Sequence, residues 1–221
     1  MQFSSKMLRS YLIIGTKDLL AGQDLLELVE TALKAGTTIV QYREKGSGAI
    51  KNYADKLALA HQLKKLTLKY NVPLVIDDDL NLALAIQADG IHIGQSDQTV
   101  SKIVDQIKLS TNPDMFIGLS VSNLTQLGNS DLTNISYLGS GPIKTTSSKA
   151  DADPVIGLKG LTDLVTATKL PIVAIGGVSF TDAKDIARTG ACGLAMISAF
   201  THAKVTELNT WIPKINEIFT K

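Results

Sequence analysis

From residue 73 to residue 94 the chain reads Pro73-Leu74-Val75-Ile76-Asp77-Asp78-Asp79-Leu80-Asn81-Leu82-Ala83-Leu84-Ala85-Ile86-Gln87-Ala88-Asp89-Gly90-Ile91-His92-Ile93-Gly94. Two short apolar runs, Pro73 to Asp77 and Gly90 to Gly94, flank a segment from Leu80 to Gln87 with room for two turns of helix. Runs this short and this continuously apolar are typical of strands covered on both faces, which favours a parallel sheet over a half-solvated one. Parallel neighbours need a crossover, and the segment between the runs supplies it.

The same unit recurs in both directions. Further runs lie at Tyr11 to Gly15, Thr38 to Arg43, Phe116 to Val121, Ile135 to Gly139, Pro171 to Gly176 and Gly193 to Ile197, which makes eight. Helical spacing fills the gaps, most clearly from Ala49 to Tyr70 and from Leu25 to a C-capping Gly36. Shorter helices are expected at Thr99 to Leu109, Leu124 to Ser130, Val155 to Thr168, Thr181 to Thr189 and Lys204 to Ile218. Eight strand-then-helix units in 221 residues predict a single-domain (β/α)8 TIM barrel, 1–221, with no linker to spare. An open doubly wound sheet shares the alternation, but it calls for a Gly-rich turn after the first strand, where this chain has Thr16-Lys17-Asp18.

Composition narrows the function. The 22 basic and 21 acidic residues give no overall field for a polyanion, and 11 aromatics offer little for stacking bases, so nucleic acid is not an expected partner. Charged residues or glycine interrupt every apolar run, so no membrane span is expected. One cysteine, Cys192, and no signal-peptide core point to a reducing cytoplasm. Association with copies of itself is compatible with the sequence but not specified by it.

In a barrel of this kind chemistry gathers at the C-terminal ends of the strands. Along the second strand Gln41, Arg43 and Lys45 share one face while Val40, Tyr42 and Glu44 share the other. A guanidinium and an ammonium on one buried face suit an anion, phosphate above all. The third strand ends in Asp77-Asp78-Asp79 and the fourth runs to Asp97. Asp79 and Asp97 each precede a helix and can cap it, while Asp78 and Asp97 on neighbouring strands could together hold Mg2+. A Ser/Thr-rich stretch, Thr146-Ser147-Ser148-Lys149, follows the sixth strand in a long excursion from Gly141 to Pro154. Gly176-Gly177 after the seventh strand and Ile197-Ser198 after the eighth offer backbone amides to a second phosphate. His92 reads as an interior residue with its hydrogen bonds met, and no nucleophilic triad is visible.

Gln41-Tyr42-Arg43-Glu44-Lys45, Ala88 to Asp97, Gly139-Ser140-Gly141-Pro142-Ile143 and Ala174-Ile175-Gly176-Gly177-Val178, in this order and spacing, resemble the thiamine phosphate synthases. That family folds as a (β/α)8 barrel. It is a transferase family that joins 4-amino-5-hydroxymethyl-2-methylpyrimidine diphosphate to thiazole ethyl phosphate, giving thiamine monophosphate and pyrophosphate. The resemblance implies that Gln41, Tyr42, Arg43, Glu44, Lys45, Asp77, Ser120 and Lys149 contact the pyrimidine diphosphate. It assigns Mg2+ to Asp78 and Asp97, and the thiazole phosphate to Thr146, Ser147, Ser148, Gly177, Ile197 and Ser198. Catalysis would fall to Arg43, Lys45, Lys149 and Ser120, through stabilisation of the departing pyrophosphate.

The chain departs from the family pattern at Asp77, where an asparagine is usual, and at Lys144-Thr145, where Phe-Pro is usual. The first sets a second negative charge beside pyrophosphate, and the second is expected to loosen the loop. Thiazole tautomerases on the same barrel, or a non-catalytic binder of thiamine precursors, are the alternatives. Arg43, Lys45, Asp78, Asp97 and Lys149 together argue against a tautomerase, which needs neither a diphosphate site nor a metal.

Overall fold

The computed structural model describes residues 2–95, 100–146 and 153–220. Eight strands close into a barrel in sequence order, each pairing in parallel with the next and β8 pairing back to β1. They are β1 (Ser10–Ile14), β2 (Ile39–Tyr42), β3 (Leu74–Asp77), β4 (Gly90–Ile93), β5 (Phe116–Ser120), β6 (Ile135–Ser140), β7 (Ile172–Ile175) and β8 (Gly193–Met196). Each falls where a short apolar run predicts it.

The connecting helices are α1 (Leu25–Lys34), α2 (Tyr53–Lys69), α3 (Leu80–Ala85), α4 (Val100–Lys108), α5 (Leu124–Asn129), α6 (Gly157–Ala167), α7 (Ala183–Arg188), α8 (Ser198–Thr201) and α9 (Val205–Ile218). Two features differ from expectation. The second helix begins at Tyr53 rather than near Ala49, because Asn52 adopts an extended conformation and its side chain caps the amide of Asp55. The four residues of α8, directly after β8, are also unanticipated, since one turn is too short to show a period. No helix among the described residues is long and apolar enough to cross a membrane.

Two apolar layers hold the barrel. The larger lies between strands and helices and includes Val40, Ile76, Ile91, Leu119 and Leu194. The smaller fills the barrel itself with Tyr11, Ile13, Ile39, Val75, Phe116, Tyr137, Val173 and Ala195. Large and small residues interlock there: a Cβ on Gly90 would lie 2.3 Å from the Phe116 ring, and one on Gly118 would lie 2.2 Å from the Tyr137 ring. Phe3 closes the N-terminal end, its ring stacked 5.6 Å from that of Tyr137. The interior is therefore filled below Tyr11 and Tyr137, and the cavity above them opens at the C-terminal mouth.

Candidate active site

The inward parity that places Ile39 in the barrel continues upward through Gln41 and Arg43, and the same holds for Val75 and Asp77, and for Phe116 and Ser120. Apolar residues at the base of each strand thus give way to polar ones at its end. Together they line a cavity of about 590 Å³ that also takes in Lys17, Lys45, Asp78 and His92. That volume suits a small-molecule substrate.

Arg43 Nε lies 3.2 Å from Asp77 Oδ2, and both side chains are largely buried. The buried Nη1 of Arg43 has no hydrogen-bond partner among the described residues, so the guanidinium retains an unmet donor at the cavity. Lys45 Nζ pairs with Asp78, whose φ of 58° turns the chain sharply at the rim. Asp79 caps α3, accepting from the Leu82 amide at 3.0 Å, as its position before the helix predicts. Lys17, outside the motifs, joins this cationic side. Gly46, with φ of 91°, carries the loop after β2 past the Lys17 ammonium.

Tyr42 and Glu44 face the other way. Tyr42 is 1% exposed and packs between barrel and helices, and burial raises its phenol pKa. Glu44 accepts from the amides of Thr16 at 3.1 Å and Ile50 at 2.8 Å, and from the Thr16 hydroxyl. It ties the loop after β1 to the loop after β2. Neither side chain lines the cavity, so of the run from Gln41 to Lys45 only the odd-numbered residues do. The strand alternation carried this information, and the motif taken as a block obscured it.

A hydrogen-bonded chain crosses the cavity floor. Gln41 Nε2 donates to Tyr11 Oη at 2.8 Å, Tyr11 Oη is 2.8 Å from Tyr137 Oη, and His92 bridges Tyr137 Oη at 3.1 Å and Ser120 Oγ at 3.0 Å. His92 is thus an interior histidine with both ring nitrogens engaged. Burial raises the pKa of both phenols, strongly so for Tyr137, which keeps them protonated. The pairing of Tyr11 with Tyr137, 126 positions apart, has no local signal in the sequence.

On the opposite side a smaller lobe of about 120 Å³ is lined by Thr146, Gly176, Gly177, Ile197 and Ser198. Ser120, Gly139 and Ile175 border both spaces, which makes them one cleft. Gly176 and Gly177 have φ of 90° and 67°, and a Cβ on Gly177 would lie 2.6 Å from the Thr145 carbonyl oxygen. The absence of side chains there brings the turn after β7 against the loop after β6. Lys144 donates its amide to Gly176 O at 3.0 Å and its ammonium pairs with Asp182. At Lys144 the loop is therefore tied down rather than loosened. Asp97, Ser147, Ser148 and Lys149 lie outside the described residues.

Comparison with known proteins agrees with this architecture. The family model described as thiamine monophosphate synthase matches residues 10–200. The thiamine-phosphate synthase of Lactiplantibacillus plantarum is 46% identical over 92% of this chain and 91% of its own. That of Streptococcus suis is also 46% identical, over 90% of this chain and 84% of its own. Among solved structures, thiamine phosphate pyrophosphorylase from Pyrococcus furiosus superposes with a TM-score of 0.81 at 30% identity, covering 98% of this chain and 99% of that one. Matched along nearly its whole length by these relatives and by the family model, the chain belongs to the thiamine monophosphate synthase family.

Proposed function

We propose that the cleft joins the pyrimidine diphosphate to thiazole ethyl phosphate, with the diphosphate over Arg43, Lys45 and Lys17 and the thiazole phosphate against Gly177, Ile197 and Ser198. The observation that carries this reading is the single cleft with two chemically different ends, one where Lys17, Arg43 and Lys45 gather with Asp77 and Asp78, the other lined by Gly176, Gly177, Ile197 and Ser198 after β7 and β8. Two phosphorylated substrates in one mouth need such a division. Gln41, Ser120, Thr146, Ser147, Ser148 and Lys149 complete the contacts.

The chemistry asks little of a protein base. Charge grows on the departing pyrophosphate, and Arg43, a largely buried donor already fixed in place, stabilises it together with Lys45 and Lys149. The two lobes hold the reacting rings together, which removes the entropic cost of a bimolecular encounter. Asp78 offers hard carboxylate oxygen at the rim, where it pairs with Lys45, and would hold Mg2+ together with Asp97. Bound there, Mg2+ would supply further positive charge to the pyrophosphate oxygens. A reducing cytoplasm fits the lone thiol of Cys192, which is partly buried with its pKa raised by that burial.

The decisive experiment mixes the protein with Mg2+, the pyrimidine diphosphate and thiazole phosphate, and measures thiamine monophosphate and pyrophosphate. Formation of both in equal amounts is expected, and the absence of both would overturn the reading.

A further inference from the structure

The chain of hydrogen bonds across the cavity floor has a direction. Gln41 Nε2 can only donate, so of the two partners of Tyr11 Oη only Tyr137 can accept the Tyr11 hydrogen. Tyr137 then receives that hydrogen and, toward a neutral imidazole, passes its own to His92 Nδ1, 3.1 Å away. An imidazole that accepts at Nδ1 and remains neutral carries its proton on Nε2, and Nε2 donates to Ser120 Oγ at 3.0 Å. The Ser120 hydroxyl hydrogen is left for the cavity. At the other end the amide orientation of Gln41 leaves Oε1 as its free acceptor.

Buried phenols hold this order in place. Tyr11 and Tyr137 are 1% and 0% exposed, which leaves water little access to either hydroxyl. The neighbouring strands make room for the assembly, since a Cβ on Gly118 would lie 2.5 Å from His92 Nδ1 and one on Gly139 would lie 3.0 Å from His92 Cε1. The two ends sit on β2 and β5, on different walls of the mouth.

We propose that Tyr11, Tyr137 and His92 act as positioning residues that lock Gln41 as an acceptor and Ser120 as a donor, and so select an amino-substituted over an oxo-substituted pyrimidine ring. The inference rests on the reading that a pyrimidine diphosphate occupies this lobe. An aminopyrimidine brings N–H donors for Gln41 Oε1 and a ring-nitrogen lone pair for the Ser120 hydroxyl. The oxo analogue sets a carbonyl oxygen against Gln41 Oε1, where two acceptors repel and neither is satisfied. Selection by buried groups of fixed polarity is steep, because the wrong ligand leaves them unpaired.

The test has two parts on the intact protein. Nitrogen-15 NMR of the labelled histidines, with His92 assigned through a His92→Gln variant, reads the tautomer directly. Protonation at Nε2 is expected, and protonation at Nδ1 would overturn the proposal, because it reverses every donor in the chain. Calorimetry then compares binding of the amino and oxo pyrimidine diphosphates, with a preference of at least about 100-fold for the amino form expected. Equal affinity would also overturn it. In Tyr137→Phe the Tyr11 hydrogen loses its acceptor and turns to Gln41, whose amide flips to accept it. The amino preference should then fall at least about tenfold, a loss that packing alone would not produce. An unchanged preference in the folded variant counts against the relay, and should that variant fail to fold, the wild-type tautomer and preference still decide. Product formation from the amino substrate reports separately on the proposed reaction, so the two readings can fail independently.

Discussion

Arg43 Nε and Asp77 Oδ2 lie 3.2 Å apart above the floor of the larger lobe, so the guanidinium that would meet a diphosphate already holds a carboxylate from the next strand. The extra negative charge of a carboxylate where the family pattern has an amide is thus balanced by Arg43 as long as no substrate claims that guanidinium. It also means that Asp77 competes with substrate for Arg43. Asp77→Asn should tighten binding of the pyrimidine diphosphate by about tenfold, the effect of removing one nearby like charge at an effective dielectric between surface and interior. The same change leaves a largely buried guanidinium unpaired and should cost about 1–3 kcal/mol of stability. Calorimetry and denaturant unfolding on one preparation check both; weaker binding would mean that Asp77 serves the substrate rather than opposing it.

Arg43→Ala should lower kcat/KM by about 100-fold or more, because it removes a fixed donor aimed at developing charge. Arg43→Lys keeps the charge but loses the planar fork, and should recover only part of the loss. Lys17, outside every motif, is no neutral control, since it lines the same cavity. Exposed Lys65 on α2 is the proper comparison, and Lys65→Ala should leave kcat/KM unchanged.

The contrast between Lys17 and Arg43 shows where sequence reading stops. All eight strands were legible, because a strand buried on both faces must be short and apolar, and the inward parity of Gln41 and Arg43 followed from the two-residue period. Alternation states which side a residue takes. It does not state which residues from distant strands meet there, so the Tyr11 to Tyr137 contact and the approach of Lys17 to Gly46 were invisible. Glu44 entered the expected substrate contacts with the whole run that carries the resemblance, while its parity points its side chain at the loop amides it caps.

Glu44→Ala should act on stability and on substrate affinity together. Its carboxylate satisfies two backbone amides and one hydroxyl while only 9% exposed. Removing it leaves those groups to find water in a crowded place, at a cost of about 2–3 kcal/mol. The loops carrying Lys17 and Lys45 would loosen, raising KM for the pyrimidine diphosphate several-fold more than KM for thiazole phosphate. A thermal melt and the two KM values test this, and equal changes in both would show that the tie is not local.

Gly177→Ala should do the reverse. With φ at 67° and a Cβ only 2.6 Å from the Thr145 carbonyl oxygen, the methyl group forces the turn after β7 away from the loop after β6. Strain of this kind costs about 1–3 kcal/mol. Affinity for thiazole phosphate should fall about tenfold or more while binding of the pyrimidine diphosphate stays within twofold, because Gly177 lines only the smaller lobe. Comparable loss for both substrates would mean that the lobes are not separable.

Alkaline unfolding follows from the buried phenols. Burial raises the pKa of Tyr11, Tyr42 and Tyr137 above the ordinary value of 10.0. Below pH 10 these phenols are neutral in both folded and unfolded chains and stability does not depend on them. Above it the unfolded chain loses protons that the folded chain keeps, so stability falls with rising pH until the folded phenols ionise too. Unfolding free energy should therefore be flat in this respect up to about pH 10 and then decline. The ultraviolet signal of phenolate from these three residues should appear together with the loss of tertiary structure rather than before it. Tyr11→Phe removes one of the three protons and should make the decline shallower, although it also removes the partner of Gln41 and starts from a lower stability. Full ionisation of all tyrosines in a still-folded protein would contradict the sealed floor on which the selectivity of the mouth depends.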